Sequence, residues 1–201
     1  DWSSDVCSSD LPAKATLLFE VELYSIGALD SVDEVDDELE KLTISEKLEQ
    51  AEARRQQGND EFRAGRYEDA YRMYQQATNY FTVKAHDFMD DDKVTAVLLP
   101  SYLNLAASAL KLGKNQQAII NAKKALDLDP KNIKGLYRMA QGYLNLKDYK
   151  MAQMTVREAL IHQPDSKLLK QLLKQISKNF KAFKQKQKKG YSTMFGWEKN
   201  D

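Results

Sequence analysis

Ala118 and Ala152 stand 34 residues apart, as do Ala125 and Ala159, and Pro130 and Pro164. A fixed period of this length, with small residues at two positions and a helix-stopping proline at the end, restricts the chain to stacked copies of one supersecondary unit. Ala70 and Ala77 precede Ala118 and Ala125 by 48 residues, one period plus an insertion of 14, which falls around AHDFMDDDKV, residues 85–94. Three units then start at Ala51, Leu99 and Ile133. None can bury its apolar face alone, so they must stack into an arc with a continuous core and a concave side.

Each unit reads as two antiparallel helices. Gly58, Ala106 and Ala140 on the first helices, and the alanine pairs on the second, let neighbouring axes approach within about 8–10 Å. This pattern matches the tetratricopeptide repeat. The expected fold class is therefore all-α: a three-repeat tetratricopeptide (TPR) superhelix over residues 45–164, closed by a basic capping helix over 165–190. Arg54 and Gln57 stand where Trp and Leu are usual, which predicts looser packing of the first helix. In the cap, Leu168, Leu169, Leu172, Leu173, Ile176, Phe180 and Phe183 recur at helical spacing, and nine lysines take the other face.

The flanks differ in kind. Residues 1–11, DWSSDVCSSDL, lack apolar periodicity and resemble the translation of a common sequencing adapter, so they are set aside as foreign. Without Asp1, Asp5 and Asp10 the formal charge moves from 0 to +3. Cys7 also falls there, leaving no disulfide and no thiolate metal site, which fits a reducing, cytoplasmic or nuclear setting. Residues 15–24, ATLLFEVELY, alternate as a half-buried strand, and with no partner strand downstream this reads as the end of a truncated sheet domain over 12–26. Residues 27–44 form an acidic linker, and 191–201 a short tail. No run of about 20 apolar residues suggests a transmembrane segment.

Two further sequence stretches carry a resemblance. PAKATLLFEVELYSI resembles the last strand of an FKBP-type peptidyl-prolyl isomerase domain, and GRYEDAYRMYQQA, YLNLAASALKLGKNQQAI and KGLYRMAQGYLNLKDYKMA resemble the repeats of the large FKBP immunophilins. The order of isomerase domain, acidic linker, repeats and basic helix also agrees. The resemblance implies a parent isomerase in which Phe19 lines the prolyl pocket, although this piece, lacking the rest of the cavity, is expected to be inactive. The lysines of the basic helix read first as the solvated outer face of a cap, and the resemblance adds calmodulin docking as an alternative there, where Phe180 and Phe183 lie beside lysines.

Other chemistry is poorly supported. His86 and His162 have no metal-ligand spacing around them, and no nucleophile–base pair or phosphate loop is present, so no metal or cofactor is expected. The lysines carry no interleaved stacking platform, which argues against nucleic acid.

The polar residues of the first helices remain. At about 100° per residue, positions 2, 5, 6 and 9 of a unit share one arc, opposite the packing positions 4, 7, 8 and 11. Arg55, Asn59, Asn104, Lys134 and Arg138 fall on that arc and face the concave side. Lys134 and Arg138 lie one turn apart with no acidic residue within a turn, so they repel unless an anion comes between them. In the repeat proteins this chain resembles, these positions form a carboxylate clamp for chaperone tails ending in EEVD, whose last residue carries two carboxylates. Lysine is more usual where Arg55 stands. The expected function is a co-chaperone module for heat-shock chaperones, the 90-kDa class favoured over the 70-kDa class. The alternatives are a protein whose main role is proline isomerisation and a scaffold for another partner.

Overall fold

The computed structural model describes residues 41–81 and 91–194. The expected strand with Phe19, the acidic linker to residue 40 and residues 82–90 of the insertion lie outside the described residues. Seven helices follow in order: α1 (Ile44–Arg63), α2 (Tyr67–Asn79), α3 (Asp92–Lys111), α4 (Asn115–Leu128), α5 (Ile133–Asn145), α6 (Tyr149–His162) and α7 (Lys167–Met194). Among the described residues the fold is all-helical and of TPR type.

Local chemistry sets the helix ends. Thr43 and Glu46 form a reciprocal capping box at α1, the Thr43 N–H donating to Glu46 Oε2 at 2.8 Å. Asp91, Asn132 and Asp148 accept backbone N–H bonds at the starts of α3, α5 and α6. Each first helix ends in the same left-handed turn: Gly65 (φ 79°), Gly113 (φ 72°) and Lys147 (φ 62°) are all the fifteenth residue of their units. Each turn carries a bond from the next residue back across the helix end, as in Asp148 N to Tyr143 O at 2.9 Å. The sequence period thus recurs as a backbone conformation, and lysine bears it once without glycine's freedom.

The alanine pairs sit where the helices touch. Ala70, Ala77, Ala118, Ala125, Ala152 and Ala159 are all fully buried. Gly58 admits the Tyr74 ring of α2 so closely that a Cβ there would lie 2.7 Å from it. One cluster of buried side chains spans the first two hairpins, and a second joins α5, α6 and α7. Helix α3 packs against α1, α2, α4 and α5. That central place explains its apolar sequence, which by length and composition alone would suffice to cross a membrane.

Two boundaries differ from the sequence expectation. The end of the insertion is helical, because Val94 and Leu98 continue the spacing that leads to Tyr102 and all three are buried with Phe81. Helix α7 runs to Met194, past residue 190. It buries Leu169, Leu172 and Ile176 as a cap must, but leaves Leu168 54% and Phe183 37% exposed. Helix α7 also starts 34 residues after α5, so it continues the repeat register as the first helix of a fourth unit.

Candidate functional site: the concave groove

The centre of the groove is a hydrogen-bonded chain across three helices. Tyr74 of α2 donates its hydroxyl to Asn59 Oδ1 of α1 at 2.9 Å, and Asn104 Nδ2 of α3 donates to the same oxygen at 3.0 Å. With both donors on Oδ1, the Asn59 amide is fixed and its NH2 end is left for another acceptor. Tyr74 is 2% exposed, and burial raises its phenol pKa. Arg55, Arg138 and Arg63 oppose that shift through space, so the Tyr74 hydroxyl is a common point near the arginines of α1 and α5.

Among the described residues Arg138 is the least satisfied cation. Its Nη1 is buried, and no described residue offers it an acceptor. Burial lowers its pKa, and Tyr74 opposes that shift. A buried guanidinium without a carboxylate favours any anion that can reach it. Lys134, exposed one turn earlier, lines the same cavity of about 710 Å³.

Arg55 departs from the sequence expectation of a charge held ready for a ligand. Glu52, three residues earlier, takes it in a fork: Nε donates to Oε2 at 2.8 Å and Nη2 to Oε1 at 2.5 Å. The Arg55 pKa rises and that of Glu52 falls, chiefly through this pairing. The sequence analysis did not single out Glu52, although it sits at position 2 of the first unit, where Lys134 sits in the third.

The structure therefore brings Asn59 and Asn104 into direct contact, sets Arg55 and Arg138 about Tyr74, and places Lys134 on the adjoining wall. Phe19 lies outside the described residues. Sequence reasoning missed Tyr74 and the fourth wall. Positions 2, 5, 6 and 9 of the fourth unit are Leu168, Gln171, Leu172 and Gln175, and all four line the same cavity as Lys134 and Arg138. Continuing the 34-residue count past Pro164 would have shown them. Among the described residues no cluster of His, Cys, Asp and Glu is disposed to hold a metal.

A tetratricopeptide-repeat family profile matches residues 109–176. The peptidyl-prolyl cis-trans isomerase FKBP4 of Bos taurus is 32% identical over 187 residues, which cover 92% of this chain and 39% of the relative. This is a TPR region homologous to that of the FKBP4-type immunophilins. The chain thus spans well under half the length of that relative. Among solved structures, the C-terminal TPR-containing domain of an FK506-binding protein from Plasmodium falciparum superposes with a TM-score of 0.67 at 22% identity, over 73% of this chain and 99% of that one. The Hsp90 co-chaperone Cns1 of Saccharomyces cerevisiae superposes with a TM-score of 0.65 at 25% identity, over 76% of this chain and 46% of that one. The TPR region thus resembles both an immunophilin and a chaperone partner.

Proposed function

We propose that this TPR region is a co-chaperone module whose groove binds the acidic C-terminal tail of a heat-shock chaperone, of the EEVD type and preferably of the 90-kDa class. The observation that carries the reading is the buried, unpartnered Nη1 of Arg138 beside Lys134 and the Asn59–Asn104 pair. A terminal aspartate supplies two carboxylates on one residue, one for the cations and one for the amides. Charge-assisted hydrogen bonds contribute about 1.5–3 kcal/mol each, offset by ordering of the tail. The expected dissociation constant is on the order of micromolar, rising with salt.

Calorimetry with an EEVD-terminated peptide as the free acid and as the C-terminal amide tests this reading. The amide should bind at least about tenfold more weakly, the value of one lost charge-assisted contact. Equal affinity would defeat the clamp. We infer by homology that the intact protein also carries an FKBP-type domain in which Phe19 lines the prolyl pocket, and an isomerase assay on the full-length protein tests that. A calmodulin contact draws less support, because Phe180 and Phe183 pack against Tyr149 at centroid distances of 5.7 and 5.5 Å, and binding would require α7 to peel away.

A further inference from the structure

Resting on the clamp reading, we propose that Glu52 is a specificity-determining residue of the groove: a resident carboxylate that occupies Arg55 and competes with the ligand for it. Three bonds hold it in place. Besides the two from Arg55, Gln56 Nε2 donates to Oε1 at 3.0 Å. The Glu52 and Arg55 side chains are only 35% and 22% exposed, so the pair is partly shielded from water where it faces the groove.

The consequence is an asymmetric clamp. Two of Arg55's five N–H donors are engaged, and its charge is cancelled by a group on its own helix. An arriving carboxylate must either share the guanidinium with Glu52, at the expense of like-charge repulsion, or displace it. On α5 nothing comparable happens, since Lys134 and Arg138 have no acidic residue within a turn and Arg138 Nη1 has no described acceptor. The doubly negative chain end therefore belongs between α5 and the Asn59–Asn104 pair. A carboxylate placed near α1 gains little, so the groove favours ligands by where their negative charge sits as well as by how much they carry.

Glu52→Gln tests this, because the amide keeps the side chain's shape and one acceptor for Arg55 while removing the charge. Titrated with the EEVD free-acid peptide at low salt, the variant should bind about 3–10-fold more tightly, the size of one released, partly shielded charge pair. The gain should shrink as salt is raised. It should also vanish in an Arg55→Ala background, where no cation remains to release. Unchanged or weaker binding by Glu52→Gln overturns the proposal, as does a gain that persists without Arg55. Failure of the clamp reading is distinguishable, because the unsubstituted protein would then bind the free acid and the amide equally.

Discussion

Replacing Arg138 with methionine should move stability and binding in opposite directions. The guanidinium is held in a protein-lined site with Nη1 buried and unpaired, and a buried polar group in that state costs about 1–3 kcal/mol, more when charged. Methionine keeps an unbranched, flexible stem that can fill the same channel, so packing loss is small. The free protein should therefore gain about 1–2 kcal/mol, and for a chain of this size each kcal/mol raises Tm by about 2–4 °C. Affinity for the EEVD free acid should fall on the order of 10–100-fold, because one or two charge-assisted bonds disappear. Thermal melts by circular dichroism read the first effect, and calorimetry at fixed salt the second. A variant that only misfolds would lose both. If Arg138→Met lowers Tm, or binds as tightly as the parent, the site is not an anion receptor held open at the expense of stability.

Tyr74→Phe preserves the packing against Gly58 but removes the hydroxyl that fixes Asn59; peptide affinity should drop about 3–10-fold, and unchanged binding in calorimetry would mean Asn59 needs no such positioning. Lys147→Gly relieves a left-handed residue at φ 62° and should stabilise by about 0.5–1 kcal/mol in urea titrations, whereas a loss would mean the lysine side chain makes up for its strained backbone. Acid should weaken α1 in particular. Glu46, Glu52 and Glu61 all have pKa values lowered from 4.5, by Thr43, Arg55 and Arg66 respectively. Groups with folded pKa values below the unfolded ones add stability above the unfolded value and lose it as pH falls through the folded values. Amide exchange in α1 should therefore accelerate, relative to α5, between pH 6 and pH 3 after correction for intrinsic rates. Equal changes in the two helices would contradict this.

Residues that repeat were legible in the sequence. The alanine spacing located every hairpin, because contact between two helices tolerates only small side chains at the crossing, and a periodic fold repeats that demand. The arc of positions 2, 5, 6 and 9 also located the groove, since helical geometry fixes direction once the register is known. What escaped was pairwise. Whether Arg55 is open or held depends on side-chain rotamers that allow Glu52 to reach it, and the 34-residue frame says nothing about contacts within one helix. Tyr74 was hidden for a different reason: it sits at a packing position on a second helix, and only its hydroxyl extends past the core to Asn59. The helical end of the insertion was missed because its charged start, DDDK, obscured the apolar spacing of Val94 and Leu98.

An array of like units has no intrinsic stopping point, since the surface that receives the next unit is offered again by each one added. Here α7 meets the last hairpin in register, but Lys170, Lys174, Lys178 and Lys181 of that helix are all exposed. A second molecule approaching end-on would bring its own first helix against this row of ammonium groups. Head-to-tail growth of this kind generates open filaments when it does not close. The lysine face of α7 thus disfavours the end-on approach by which one copy would continue another.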